Sequence, residues 1–247
     1  MRRTKLIQIE RLLDGPEAQL QRAVEQGLST IFPRRASRPA LVLGSLSLGA
    51  GRPDILLASF DERVTDLSKV SPQARALLPY LRMTKQVTAK TVADRSGRSL
   101  QAIDHALCQL VDARIVTRRG RAFALSRRWR TIVTDIVAVE IKVQNWRRGL
   151  AQAARNQIFA HRSYLALPEP VAQRIKADKL FRIFGVGIVG ITPSGRIRIV
   201  RAARRTKPKV WSYYFAIANE AAMRLSRSRH RAIRRVDRRR KKAISRV

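Results

Sequence analysis

One run of ten residues, TDIVAVEIKV at positions 134–143, sets the first constraint on how this chain folds. Most of its residues are β-branched or apolar, which is typical of a strand buried on both faces of a sheet. Glu140 and Lys142 interrupt the run two residues apart. Because strand side chains alternate between faces, both charges lie on one face, where they are costly unless something pairs with them. The run therefore predicts a buried strand with a polar site on one face.

The charge balance restricts the class of partner. The chain has 247 residues, with 52 Lys and Arg against 17 Asp and Glu and a formal net charge of +35. A hydrophobic content of 45% is enough for a packed core, so this is not only a basic tail. Such an excess predicts a polyanionic partner, and we expect DNA. An anionic membrane surface and RNA are the alternatives.

Targeting and cysteine signals predict the compartment. A single cysteine, Cys108, excludes a disulfide framework within the chain and a cysteine-based zinc site. The first residues, MRRTKLIQIERLLDG, lack the apolar core of a signal peptide. No apolar run approaches the roughly 20 residues that span a bilayer. These features predict a soluble cytoplasmic protein, associated with the nucleoid and not with a membrane.

The elements around the central strand predict a mixed sheet flanked by helices, an α/β fold. Periodicity and turn residues indicate the following order: a helix at 16–30, a hairpin at 41–60, the strand, a helix from Asn145, a strand at 163–168, a helix at 169–184, a hairpin at 185–204 and a long basic C-terminal helix from 210.

A separate pattern occupies residues 71–130. Three helices, the second capped by Thr88 and the third by Ser99 with Gly97 in the turn between them, precede a hairpin with a basic tip. This order resembles the MarR-like winged helix-turn-helix proteins. We therefore predict a discontinuous core at 1–62 and 131–212, an inserted winged helix-turn-helix domain at 70–130, and a basic C-terminal helix or tail at 213–247.

Two short motifs carry the chemistry. Asp54 follows Pro53 in RPDILL, and Glu140 and Lys142 stand in VEIKV on a following strand. Together they resemble the PD-(D/E)xK nuclease superfamily, and the order of elements from about 16 to 201, without the insertion, is similar to its restriction-endonuclease-like core. The resemblance implies a metal-dependent DNA endonuclease that hydrolyses phosphodiester bonds.

The resemblance also implies a role for each motif residue. Asp54, Glu140 and the carbonyl of Ile141 would bind Mg²⁺ or Mn²⁺, which suits oxygen ligands. Lys142 would orient the attacking water or stabilise the charge that develops on the phosphate.

Two helices would add further residues. The superfamily often has an acid in its first helix, where Glu17 and Glu25 are both candidates and Glu25 is favoured. Some members carry a Gln-x-x-x-Tyr signature in the helix after the Glu-x-Lys strand. It is not intact here, so Gln152 is expected to play a supporting catalytic role towards phosphate or Lys142.

Basic residues outside the core are candidates for DNA contact. The start of the third helix of the insertion would read bases, the wing would meet phosphate or the minor groove, and the tail would clamp phosphates. These residues are Arg98 and Gln101 in the helix, Arg118, Arg119 and Arg121 in the wing, and Arg234, Arg235, Arg238 and Arg239 in the tail. The alternative is that the insertion binds another protein.

Several other interpretations stay open. Glu140 and Lys142 would also suit an exposed ion pair at a sheet edge, worth about 0–1 kcal/mol. The chain as a whole would also suit a non-catalytic DNA-binding regulator on a nuclease-like scaffold, or a basic RNA-associated protein. A homodimer would suit paired cuts in two strands. For His105 and His161 we expect a polar surface position, and for Cys108 a place in the core.

Overall fold

The computed structural model describes residues 5–7, 14–32, 40–44 and 52–226. Contacts divide the chain into two compact units. Unit 1 comprises the described residues up to Asp61 together with Val133–Tyr214, and unit 2 comprises Glu62–Ile132 together with the described residues from Phe215 onwards. The predicted tail residues Arg234, Arg235, Arg238 and Arg239 lie outside the described residues.

The described residues form strands and helices, labelled here in chain order. The strands are β1 (Lys5–Ile7), β2 (Ala40–Gly44), β3 (Ile55–Phe60), β4 (Val87–Thr88), β5 (Val116–Arg119), β6 (Ala122–Leu125), β7 (Val133–Ile141), β8 (Arg162–Pro168), β9 (Gly187–Ile191) and β10 (Ile197–Arg201). The helices are α1 (Pro16–Gln26), α2 (Leu28–Ile31), α3 (Pro72–Arg75), α4 (Leu78–Met83), α5 (Ala89–Ser96), α6 (Leu100–Asp112), α7 (Trp146–Asn156), α8 (Glu169–Ile175), α9 (Lys179–Phe184) and α10 (residues 211–226). Glu62–Lys69 and Trp129–Thr131 form 3₁₀ turns.

Unit 1 is built on a seven-stranded mixed sheet in the order β1-β2-β3-β7-β8-β9-β10. Strand β3 is antiparallel to both β2 and β7, whereas β7, β8 and β9 run parallel and β10 returns antiparallel to β9. The parallel strands are joined through helices, as parallel connections require. The predicted mixed α/β sheet flanked by helices is therefore confirmed.

Each face of the sheet is covered by its own helices. On one face, α1 and α2 contribute Val24, Leu28 and Ile31 to a core that includes Val139 and Ile141 of β7. On the other, α7, α8 and α9 pack against β8 and β9 through a cluster of buried residues: Leu150, Ala153, Leu165, Leu167, Ala172, Ile175, Phe181, Val186 and Ile188. Because β7 is covered on both faces, its near-continuous apolar sequence has a structural reason.

Unit 2 contains α3–α6 and a three-stranded sheet in the order β4-β6-β5. The predicted caps are confirmed, since the side chain of Thr88 accepts a hydrogen bond from the Thr91 N–H, and that of Ser99 from the Ala102 N–H. Gly97 ends α5 at φ 65°, a left-handed conformation that glycine adopts without steric cost. These signals fix the turn between α5 and α6.

Some local features differ from the sequence-based expectations. The single helix predicted over 169–184 is two helices, because the Asp178 side chain accepts a hydrogen bond from the Leu180 N–H and caps α9. The two-residue strand β4 was not predicted and is paired with β6. Among the helices that the structure describes, none combines the length and apolarity that a membrane span needs.

We predict that Tyr214→Phe destabilises unit 1. The buried Tyr214 hydroxyl accepts a hydrogen bond from the N–H of Val133 and donates one to its carbonyl, both at 2.8 Å, at the first residue of β7. Removing the hydroxyl leaves the N–H and the carbonyl of Val133 without this hydrogen-bond partner. The free energy of unfolding should therefore fall by about 1–3 kcal/mol in urea denaturation.

The neighbouring Tyr213→Phe is the matched control, because it keeps the ring and its edge contact with Phe159. Equal stability losses in the two variants would contradict the role assigned to the Tyr214 hydroxyl.

Candidate active site

The pairing of β3 with β7 brings two acidic residues together. Ile55 is paired with Val139, and continuing this antiparallel register by one residue places Asp54 opposite Glu140. Side chains opposite each other in this way share a face, with Cβ atoms about 4.5–5.5 Å apart. The Ile141 N–H donates a 2.7 Å hydrogen bond to Asp54 Oδ2, which fixes the first carboxylate against β7.

Glu140 is almost completely enclosed, with 3% of its surface exposed. Its Oε1 accepts a 2.6 Å hydrogen bond from Nδ2 of Asn156, a buried residue at the end of α7. Asn156 therefore fixes one oxygen of the glutamate from the helix that covers this face. An exposed surface pair, the alternative interpretation of Glu140 and Lys142, does not fit this burial.

Burial also raises the pKa of both acids. It raises the pKa of Asp54 above its ordinary value, while the hydrogen bond from Ile141 and the charge of Lys142 act against the shift. Burial and the neighbouring Asp54 carboxylate raise the pKa of Glu140 to about 7, with Asn156 and Lys142 acting in the opposite direction. Two carboxylates held in this way favour a bound cation, which would relieve both effects.

Lys142 lies directly after β7, where its N–H donates to the carbonyl of Ala166 at 3.0 Å. Its Nζ is 3.6 Å from Oε1 of Glu17, and 18% of its side chain is exposed. Its stem passes along α7 at Gly149, where an added Cβ would lie only 2.8 Å from Lys142 Cγ and 2.7 Å from Leu165 Cδ1. A glycine at position 149 therefore allows the lysine to reach the site.

A cleft of about 510 Å³ opens beside these residues, between the start of α1 and the first turns of α7. It is lined by Pro16, Glu17, Lys142, Val143, Gln144, Asn145, Arg148 and Gln152. Asn145 caps α7 with its side chain, as predicted, and adopts a left-handed conformation at φ 50°. The Oε1 atom of Gln152 is buried without a hydrogen-bond partner among the described residues.

The predicted residues of the core are thus brought together with one exception. Asp54, Glu140, Ile141 and Lys142 are adjacent, and Gln152 lines the cleft with Lys142. Glu25, the favoured acid of the first helix, lies about 12 Å further along α1 than Glu17, and it accepts a hydrogen bond from Gln21.

Of the two candidate acids of α1, the structure places Glu17 at the cleft, and Glu25, which the sequence favoured, is not among the cleft residues. The reason is that the helix presents its N-terminal end to the cleft, where Glu17 lines it and pairs with Lys142. Its charge also acts to raise the pKa values of Asp54 and Glu140.

Two residues of the site were missed by the sequence analysis, Asn156 and Arg148. With Gln152 they form a stripe along one side of α7, because residues four apart lie on the same helix face. That polar stripe within an amphipathic helix was the signal that could have identified them.

The predicted DNA-binding residues of unit 2 are at its surface. Arg98 and Gln101 are exposed around the start of α6, and Arg119 and Arg121 are exposed in the β5–β6 hairpin. Arg118 Nε donates to the Gly120 carbonyl at 3.0 Å, and its guanidinium lies 5.5 Å from the centre of the Phe123 ring. Arg118 therefore shapes the hairpin tip.

The remaining candidate residues differ from expectation in two cases. Cys108 is exposed and does not belong to the core. His161 is buried, accepts a hydrogen bond from the Ile136 N–H at Nδ1, and has a pKa lowered by burial to about 4. It is a neutral structural residue directly before β8, bonded to β7. His105 is exposed and bonded to Gln109.

The donor set suits a hard cation that keeps much of its own hydration. Within residues 5–7, 14–32, 40–44 and 52–226, no group of three or more His, Cys, Asp or Glu side chains is arranged to hold a metal. Asp54 and Glu140 form a pair, and each uses one oxygen in a hydrogen bond within the chain and keeps a second. One or two carboxylates, with water and phosphate oxygens completing the shell, is the usual protein environment of Mg²⁺.

Comparison with protein-family models, curated proteins and solved structures finds no match for this chain.

We predict that Glu140→Gln changes how stability depends on pH. The pKa of this glutamate is 4.5, its ordinary value, in the unfolded chain and about 7 in the folded protein, so the native state keeps the proton up to a higher pH. The native state then binds more protons between these values, so wild-type stability falls as pH rises from about 4.5 to 7. Glutamine has no such proton. The free energy of unfolding of the variant, relative to that of the wild type, should therefore rise by on the order of 3 kcal/mol between pH 5 and pH 8.

The measurement is urea denaturation of both proteins across this range with a metal chelator present. Parallel stability profiles for the two proteins would refute the raised pKa.

Proposed function

We propose that this protein is a metal-dependent DNA endonuclease, with a PD-(D/E)xK core of the restriction-endonuclease-like type and an inserted winged helix-turn-helix domain. The observation that carries the proposal is that Asp54, directly before β3, accepts a hydrogen bond from the N–H of Ile141, the residue after Glu140. Asp54 and Lys142 both lie close enough to act on the pKa of Glu140. Two carboxylates largely withdrawn from water, near a lysine that lines the cleft, suit cation and phosphate binding better than they suit stability.

The metal would be Mg²⁺ or Mn²⁺, held by the free oxygens of Asp54 and Glu140 and by the Ile141 carbonyl. When bound, such an ion polarises the scissile phosphate and makes a coordinated water more acidic. The chain's part is to present these oxygens from two strands of one rigid sheet, with Asn156 and the Ile141 N–H fixing the carboxylates.

Lys142 and Gln152 would act on the substrate side. The Lys142 ammonium is placed to donate to a phosphate oxygen or to the attacking water, and it offsets negative charge that grows on the phosphate. Glu17 holds this ammonium from the other side of the cleft. The Oε1 of Gln152 is buried without a hydrogen-bond partner among the described residues, and it would accept a hydrogen bond from Lys142 or from that water in the substrate complex.

Unit 2 would hold the DNA. In winged helix-turn-helix proteins the start of the recognition helix reaches the major groove, which is the position of the exposed Arg98 and Gln101. Arg119 and Arg121 in the hairpin would contact phosphates, and a net charge of +35 favours any polyanion. Duplex or branched DNA is the proposed substrate, RNA the less favoured one, and two copies would cut both strands of a duplex.

We predict that Asp54→Asn, Glu140→Gln and Lys142→Met each reduce DNA cleavage at least about a hundredfold, because each removes a metal ligand or the phosphate-facing charge. Cleavage should require Mg²⁺ or Mn²⁺ and be measured on linear, nicked, branched and single-stranded DNA. DNA affinity in a gel-shift assay should stay within about twofold of wild type, since the bulk of the cationic surface is unchanged.

Salt-sensitive DNA binding without cleavage of any of these forms would instead support the DNA-binding regulator. A preference for structured RNA over duplex DNA would support the RNA-associated protein.

We predict further that Glu17→Gln and Glu25→Gln separate the two acids of α1. Glu17 pairs with Lys142, so its substitution should slow cleavage by about tenfold, which corresponds to about 1.4 kcal/mol. Glu25→Gln makes the same chemical change on the same helix and should cleave at the wild-type rate. The reverse order of effects would show that the acid of the site has been misassigned.

A further inference from the structure

The cleft carries two cationic side chains with different surroundings. Lys142 is mostly enclosed and faces Glu17 at 3.6 Å. Arg148 is exposed, and its guanidinium has no hydrogen bond or ion pair with any residue that the structure describes. Part of the lysine's charge is therefore already balanced, whereas none of the described residues balances the charge of the arginine.

The preceding arginine is held differently. The Arg147 guanidinium lies 4.5 Å from the centre of the Trp146 ring, and that ring stacks on Phe181 at 5.8 Å. Successive helix residues point about 100° apart, so Arg147 and Arg148 leave α7 in different directions. Of these two arginines, Arg148 is the one that lines the cleft.

We propose that Arg148 binds a backbone phosphate of the DNA strand that enters this cleft, and so places the neighbouring phosphodiester against Asp54 and Glu140. The guanidinium is planar and can donate two parallel hydrogen bonds to phosphate oxygens. It lies in the first turn of an eleven-residue helix, where the helix dipole also favours an anion. This inference rests on the proposed nuclease function and names a substrate contact within it.

The expected defect is in strand placement and not in overall affinity. The chain has 52 Lys and Arg residues, so loss of one contact changes bulk DNA binding little. A misplaced phosphodiester, in contrast, slows the chemical step even when DNA is saturating. Cleavage rate and DNA affinity therefore separate this role from a general electrostatic one.

The test compares Arg148→Ala, Arg148→Lys and the matched control Arg147→Ala in the full chain. At saturating DNA with Mg²⁺, Arg148→Ala should lower the single-turnover cleavage rate by about 10–100-fold, as expected for lost hydrogen bonds to a charged group. Arg148→Lys should recover part of this loss, and Arg147→Ala should stay within about twofold of wild type. DNA affinity of each substitution in an Asp54→Asn background should change by less than about twofold.

A second measurement does not depend on cleavage. Arginine modification by phenylglyoxal, mapped by mass spectrometry with and without a short DNA duplex in the presence of a chelator, should show protection of Arg148 and unchanged modification of Arg147. Unprotected Arg148, or wild-type cleavage by Arg148→Ala, would overturn the inference. If the wild type cleaves no DNA while Arg148 is protected, the nuclease proposal fails and the phosphate contact stands.

Discussion

Unit 1 depends on the antiparallel pairing of β3 with β7. The chain leaves the sheet after Phe60 and returns at Val133, and these two residues are register partners. Closing such a long loop costs conformational entropy, although the cost grows only slowly with loop length. On the other side of β7, β8 adds in parallel to β7 and β9 adds in parallel to β8.

The site shows how local burial can outweigh the charge of a whole protein. A net charge of +35 would be expected to favour ionised carboxylates, but charges beyond about 10 Å are largely screened at ordinary salt. Glu140 is enclosed by the sheet and α7 and has Asp54 as its neighbour, so its pKa rises. The net positive charge and the raised pKa of Glu140 are therefore separate effects that act on different length scales.

Periodicity and capping residues were sufficient to predict much of this fold. The caps at Thr88, Ser99 and Asn145 act over three residues, and alternation along β7 identifies the face that carries Glu140, because both are local properties of the backbone. The identity of the acid in α1 could not be predicted in this way. Whether Glu17 or Glu25 reaches Lys142 depends on which end of α1 lies beside the end of β7. That is decided by tertiary packing and not by the local sequence.

The same limit applies to Asn156 and Cys108. The polar stripe of α7 marks Asn156 as a candidate, but its contact with Glu140 depends on how the last turn of α7 lies over β7, which the stripe does not specify. Cys108 was placed in the core because cysteine is commonly buried, yet it falls on the exposed side of α6 beside the buried Leu107. Because successive helix residues point about 100° apart, neighbouring positions such as Leu107 and Cys108 can be buried and exposed, respectively.

The exposed thiol of Cys108 affects how the oligomeric state should be measured. Cys108 is the chain's only cysteine, so a disulfide between two copies can form through it, whereas none can close within one copy. In aerated buffer such a covalent pair would have twice the monomer mass, and a mass measurement without a reducing agent would not distinguish it from a native dimer. Sedimentation or scattering measurements of the oligomeric state consequently require a reducing agent, or a Cys108→Ser chain in which any remaining association is noncovalent.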